Sequence, residues 1–338
     1  MSFFITLISL LFLIFLAKKF DFGHDHSCGE QKFHIQPTPR TGGLALAFAV
    51  IISLFFDNHE NIFNFIFPII FLLIPAFYED IHSGMKPSYR LLLILFAVVL
   101  LVILNNLEIK NFGVFYLDHF LDVPLVNIIF TVLTLSMLIN AFNIIDGFNG
   151  LLSGFSLIIL ASIAYISNNL GEVYIYELSV ISIMSVVAFL ILNFPYGKIF
   201  LGDSGAYFLG TLIGFLLINL IINPMVSTWF ALAIVIYPVY EIVFSIFRKK
   251  FFFNSPAMKP DSFHLHMLVH KNLINCEYFK NKIFCNSLTS VIIWLLSLFS
   301  IIPSLLWYDE SLILFLTCLI FMFLYTVLYL KLLSLEKK

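Results

Sequence analysis

The chain has 338 residues, of which 61 % are hydrophobic and 11 % charged, with a formal net charge of −2. Ordinary soluble domains carry about 25 % charged residues, so this composition excludes a soluble protein. With no basic stripe, internal repeat or low-complexity tract, it also gives no footing for nucleic-acid binding.

Apolar runs suited to crossing a bilayer fall at 2–17, 42–56, 62–78, 89–104, 125–142, 151–166, 177–194, 205–222, 226–247, 287–307 and 311–333. The expected fold class is therefore all-α: a polytopic integral membrane protein of about 11 transmembrane helices, forming one domain over 1–338. The first run is as short as a signal-peptide core. It lacks a basic n-region and an Ala-x-Ala-like exit and meets Lys18-Lys19, so it reads as a first helix. His24-Asp-His26-Ser-Cys28 has loose metal-ligand spacing, but a closed zinc site wants four ligands at repeatable spacing, and a hydrophilic loop is the simpler reading. The four cysteines show no CxxC pairing. In the ninth run, Pro238 should break or kink the helix. Glu241 beyond it either serves function or snorkels towards Arg248-Lys-Lys250.

If the N-terminus is outside, every lysine and arginine except Lys110 falls on an odd-numbered loop or the C-terminal tail. The positive-inside rule then places those loops and the C-terminus in the cytoplasm. The polar, glycine-containing clusters share the same loops: Pro37–Gly43, Tyr78 through Arg90, Asn140–Leu151, Asn193–Gly205 and Asp261–His270. An active site on cytoplasmic loops is expected.

Among these clusters, Phe200-Leu-Gly-Asp-Ser-Gly205 is wedged between two long apolar runs. A carboxylate near a bilayer core costs about 2.5–3.5 kcal/mol on insertion scales, so Asp203 reads as functional, with Gly202 and Gly205 leaving the backbone bare for a ligand. Glu79 and Asp80 end the third run, the electrostatically wrong end of a helix for two acids, and call for a cation such as Lys86 or Arg90. Asn140, Asn143 and Asp146 recur every three residues, on one helical face. Three histidines, His264, His266 and His270, follow Asp261 closely, without the glutamate of an HExxH zinc site. A bare carboxylate cluster repels phosphate; a hard divalent cation such as Mg²⁺, held by one or two carboxylates and substrate oxygens, resolves the conflict.

In this order, from about Lys32 to His270, the five motifs resemble the polyprenyl-phosphate N-acetylhexosamine-1-phosphate transferases, which include WecA-like and MraY-like enzymes. Lys32-Phe-His34 with Pro37–Gly43 is similar to the family's first cytoplasmic loop, and Glu79-Asp80 to its paired aspartates. Asn140–Leu151 is similar to its asparagine-rich DGxxGL segment, Phe200–Gly205 to its FxGDxG, and His264-Leu-His266 to the histidine motif of the WecA-like branch. The resemblance implies a multi-pass protein of the inner membrane that uses Mg²⁺, with Mn²⁺ as a substitute, held at Asp203. Asp80 would deprotonate or position the lipid phosphate, with Glu79 beside it and Asp146 as an acid of the same pocket. Phe200 would stack on uracil, while Arg40, Asn143, Asn149 and Asn193 bind substrate. His264 and His266 would contact the donor's diphosphate or sugar. The implied partners are UDP-N-acetylhexosamine, a polyprenyl (undecaprenyl) phosphate carrier and membrane lipids, and a homo-oligomer is left open. The implied reaction releases UMP and leaves a lipid-linked diphospho-sugar, with the prenyl tail in a groove at the broken ninth helix. A secondary transporter and an inactive membrane scaffold are the competing readings.

Overall fold

A computed structural model describes residues 1–25, 37–56, 62–82, 84–110, 112–251, 261–275 and 281–336. His26, Cys28 and the Lys32-Phe-His34 motif lie outside the described residues. In chain order come α1 (Ser2–Phe20), the short strands β1 (His24–Asp25) and β2 (Thr38–Pro39), α2 (Gly42–Phe56), α3 (Ile62–His82) and α4 (Pro87–Leu104). Then follow α5 (Phe115–Leu121), α6 (Pro124–Ile145), α7 (Leu151–Leu170), α8 (Val173–Asn193) and α9 (Gly202–Ile221). The chain closes with α10 (Thr228–Ile234), α11 (Ile236–Phe251), α12 (Leu265–Ile274), α13 (Lys282–Leu306) and α14 (Ser311–Glu336).

All eleven apolar runs coincide with helices. Among the described residues nine helices are long and apolar enough to cross a membrane, and α10 with α11 makes a tenth, broken span bent by 74°. The eleventh, α2, is shorter, at 15 residues. Helices suit these runs because a bilayer core offers no water to unpaired backbone groups. Their hydroxyls follow the same rule: Ser162, Ser179, Ser182 and Thr211 each donate to the carbonyl four residues back. Pro87 and Pro124 open α4 and α6, where a missing N–H removes no helical bond. The break in the ninth run precedes Pro238: the chain turns at Val235 (φ −110°, ψ 16°), and Pro238 sits harmlessly in the first turn of α11.

At the centre stands α9, buried over 94 % of its apolar window, whereas α1 and α14 at the periphery are 17 % and 28 % buried. It packs on α2, α3, α6 and α7. Its N-terminus, the C-termini of α3 and α6 and the start of α2 therefore gather at one end of the bundle, where the polar loops meet.

Candidate active site

The site is built on the first turn of α9. Asp80, in the last turn of α3, accepts hydrogen bonds from Asp203 N at 2.7 Å, Ser204 N at 3.0 Å and Ser204 Oγ at 2.7 Å. A carboxylate placed so satisfies two orphan N–H groups and the positive end of the α9 dipole. The approach needs Gly202, which lies at φ +73° and whose added Cβ would come within 2.6 Å of Asp80 Oδ1. Likewise a Cβ on Gly43 would collide with the Cα of Gly205, so α2 and α9 touch backbone to backbone. The space a side chain would take at Gly202 and Gly205 is filled by the protein itself, while Gly202 still borders a cavity.

Backbone hydrogen bonds knit the first loop to this turn. Phe200 N donates to Pro39 O, Gly42 N to Phe200 O, Gly43 N to Leu201 O, and Arg40 N to Gly23 O. The strap brings Arg40 Nη2 to 3.1 Å from Asp203 Oδ1, 3.7 Å from Asp80 Oδ1, with its Nη1 3.9 Å from Asp25. Burial opposes the charge on Arg40, but Asp203, Asp80 and Asp25 together raise its pKa. On the other side Arg90 of α4 holds Asp203 Oδ2 at 2.8 Å and stands 4.0 Å from Glu79 Oε1. Glu79 turns onto the loop that follows α3 instead, accepting from Gly84 N at 3.1 Å and Met85 N at 2.8 Å. Arg90 thus supplies one expected cation, whereas Lys86 is exposed and forms no ion pair with a described residue.

Between these groups opens a cavity of about 320 Å³, bordered by Asp25, Arg40, Arg90, Asn143, Asp146–Asn149, Asn193, Phe200–Asp203 and Asn286. Asn149 and Asn193 build its wall. Asn149 Nδ2 donates to Pro195 O at 2.9 Å, and Asn193 Nδ2 to Ile199 O at 2.7 Å while its Oδ1 accepts from Gly150 N. Asn286 of α13 accepts from Asn149 N at 2.8 Å. Asn143, half-buried, has its amide free of hydrogen bonds to described residues and is available to a ligand. Two rings, Phe148 and Phe200, share the lining. Asp146 caps α6, half-buried; desolvation, helped by Asp203 and Asp80 and opposed by Arg40, pushes its carboxyl up to about 7.

His264 and His266 do not border this cavity. Both are buried, their rings stacked 5.5 Å apart, with His264 Nδ1 2.9 Å from Glu241 Oε1 and His266 Nδ1 3.0 Å from the Tyr237 hydroxyl. His266 lies behind Gly147, within 3.9 Å of where a Cβ there would stand. Burial holds His266 down at about 3, so it is neutral at physiological pH. Glu241 is 1 % exposed and does not snorkel. Phe148 and Asn286 join the site without having been singled out in the sequence, whereas Arg90 and Glu241 had been. Arg90 and Glu241 carried a charge signal; Phe148 and Asn286 carried none.

Among the described residues no group of three or more His, Cys, Asp or Glu side chains is placed to hold a metal. Mg²⁺ does not require one, since it uses one or two carboxylates and fills its octahedron with water and phosphate oxygens. Asp203 and Asp146 both border the cavity as hard oxygen donors. The Asp146 carboxylate accepts no hydrogen bond from a described residue, so its ionised form lacks the partner a cation would supply. These residues fit the ion.

The sequence pattern of glycosyl transferase family 4 matches residues 62–221, the stretch that carries Glu79, Asp80, Asp146 and Asp203. A phospho-N-acetylmuramoyl-pentapeptide-transferase of Campylobacter jejuni is 32 % identical over 254 residues, covering 65 % of this chain and 71 % of that protein. The chain belongs to glycosyl transferase family 4. Likeness to other proteins reaches well outside the family pattern. A probable undecaprenyl-phosphate N-acetylglucosaminyl 1-phosphate transferase of Bacillus subtilis is 29 % identical across 89 % of this chain and 87 % of its own length. An undecaprenyl-phosphate alpha-N-acetylglucosaminyl 1-phosphate transferase of Thermotoga maritima is 28 % identical across 80 % and 79 %. The family assignment agrees with the motif resemblance, and the capped start of α9 gives its FxGDxG segment a structural meaning.

Proposed function

We propose that this family 4 chain transfers N-acetylhexosamine 1-phosphate from a UDP-N-acetylhexosamine to polyprenyl phosphate at the cytoplasmic face of the inner membrane, releasing UMP. The observation that carries this reading is the pairing of Arg40 and Arg90 on one carboxylate at the mouth of a cavity walled by Phe148, Phe200 and Asn143. Both guanidinium groups are partly exposed, at 26 % and 29 %, and can turn from Asp203 to donor phosphate oxygens, for which their planar forks are suited. A flat uracil suits the aromatic rings, and the Asn143 amide offers a donor and an acceptor for its edge.

In the reaction an oxygen of the lipid phosphate forms a bond to the sugar-bearing phosphorus. The bond from that phosphorus to the bridging oxygen breaks, and UMP leaves with the bridging oxygen. A phosphate monoester has its second pKa near 6, so at neutral pH the nucleophile needs no general base. That leaves Asp80 the work its geometry supports: holding the first turn of α9 and, through it, Asp203. When bound at Asp203 and Asp146, Mg²⁺ would offset the repulsion of two anionic substrates and the charge building on UMP. Arg40 and Arg90, charged at any physiological pH, supply positive charge for the same purpose. An apolar cavity of about 260 Å³ lies at the α10–α11 bend, lined by residues including Leu135, Leu217, Leu232 and Val235, towards the end of α9 away from Asp203, so it would take a distal stretch of the prenyl tail.

Location at one end of the bundle supports an enzyme over a transporter, whose ion sites sit near the midplane on repeat-related broken helices. The test is Mg²⁺-dependent release of UMP from a panel of UDP-N-acetylhexosamines by purified protein supplied with undecaprenyl phosphate. Release with one donor and none without the lipid is expected. No UMP from any donor overturns the proposal.

A further inference from the structure

The histidine cluster behind the cavity is held by a feature that the transfer reaction leaves unassigned. Tyr237, Glu241, Ser245 and Arg248 stand at helical spacing along one face of α11, and all four are buried. They meet the segment from Asp261 to His266 in reverse order. Arg248 Nη2 donates to both oxygens of Asp261, at 3.1 and 2.9 Å, and to Ser245 Oγ at 3.2 Å. Glu241 Oε1 accepts from His264 Nδ1 at 2.9 Å and Leu265 N at 3.3 Å. The Tyr237 hydroxyl lies 3.0 Å from His266 Nδ1, and Glu241 Oε2 stands 4.0 Å from the same nitrogen.

Anchoring alone does not call for a carboxylate at position 241. The segment is already tied by Arg248 to Asp261, and α12 packs on both α13 and α14. A buried carboxylate inside half a membrane span is an expensive substitute for an amide or a hydroxyl. What it adds is direction. An ionised carboxylate only accepts, so His264 must carry hydrogen on Nδ1, and its ring plane is set. The His266 ring lies parallel to it within 2°. From there contact passes to the cavity: His266 backs Gly147, and Phe148 lies 5.8 Å from His266 and 4.8 Å from His270, ring to ring. Asp146, Gly147 and Phe148 all border the cavity.

We propose that Glu241 is a positioning residue for the transfer reaction. It fixes the Nδ1 proton and plane of His264, and the stacked pair braces the Asp146–Phe148 wall. This rests on the function proposed above. Movement of a reacting geometry by about 1 Å costs up to about 10²-fold in rate, so a lost brace is readable without unfolding.

The test uses the full chain in nanodiscs as wild type, Glu241→Gln and Glu241→Asp, with thermal unfolding measured beside kcat and donor KM. Glu241→Gln keeps shape and an acceptor but not the charge; it should unfold near the wild-type temperature yet lose about 10²-fold in kcat/KM. Glu241→Asp keeps the charge at shorter reach and should recover part of that loss. Wild-type kcat and KM in folded Glu241→Gln overturn the proposal, as do losses in both variants that track only the fraction folded. A second readout needs no turnover: ¹⁵N-histidine solid-state NMR, with the His264 signal assigned by its absence in His264→Asn. That signal should report Nδ1–H in the wild type and move in Glu241→Gln. If the wild type releases no UMP, the functional reading fails by itself, and an unmoved His264 signal overturns the positioning claim separately.

Discussion

Asp80→Asn separates a helix cap from a proton acceptor. The Asp80 carboxylate takes three donors, Asp203 N, Ser204 N and Ser204 Oγ, and its side chain is 0 % exposed. Asparagine offers one oxygen and an NH₂ group. With that oxygen on Asp203 N, the amide nitrogen faces Ser204, whose hydroxyl can turn to accept but whose backbone N–H cannot. One buried donor is orphaned, at about 1–3 kcal/mol. Loss of negative charge at the start of α9 removes about 0.3–1 kcal/mol more. The total is about 1.3–4 kcal/mol, enough to lower the unfolding temperature by a few degrees or more. Tryptophan fluorescence of the purified protein in detergent reads that shift, and UMP release across pH reads the chemistry. The expected outcome is a lower unfolding temperature, turnover down about 10²-fold because Asp203 is displaced, and a pH profile of unchanged shape. An unchanged unfolding temperature with turnover down about 10²–10⁴-fold and the acid limb of the profile gone would mark a general base and refute the cap.

Asp203→Asn should cut turnover by about 10²–10³-fold, like removal of one transition-state stabiliser, while membrane insertion survives; near-normal UMP release by the folded variant would sink the metal assignment. Gly43→Ala should prevent the α2–α9 contact, because the added methyl meets backbone atoms of Gly205 that cannot yield; overpacking of about 1–3 kcal/mol or more should show as loss of monodisperse protein in size-exclusion chromatography, and a wild-type elution profile and unfolding temperature would contradict the contact. Burial holds His266 at about 3 and His270 at about 4, below the ordinary value near 6.5, so both are neutral in the fold while the unfolded chain binds protons below about pH 6.5. Stability contributed by these groups should be complete above that pH and fall as pH drops towards 4; a flat unfolding temperature between pH 8 and 4 would refute it, and His266→Gln with His270→Gln should flatten the slope.

The sequence by itself determined the membrane architecture. An apolar run long enough to cross lipid has essentially one backbone solution, so all eleven runs were legible as helices, and the bend in the ninth was legible as a break although its residue was not. Asp203 stood out for the same reason, as a costly carboxylate beside such a run, and the fold places it on the border of the cavity. The order of the polar motifs was enough to point to the family.

What only the tertiary structure decided is which residue answers which. Asp80 and Asp203 are 123 residues apart, yet one caps the helix that carries the other. Arg90 reaches Asp203 across 113 residues, and Asn286 reaches Asn149 across 137. Such pairs depend on the crossing and rotation of whole helices, which no local spacing encodes. The glycines show the limit most plainly. Their bareness was visible in the sequence, but whether a ligand, a carboxylate or another helix would occupy the space depended on packing, and at Gly202 and Gly205 the protein fills it. Glu241 was ambiguous for the same reason, because its partner His264 lies beyond a helix end and a loop, and only the fold brings the two within 2.9 Å.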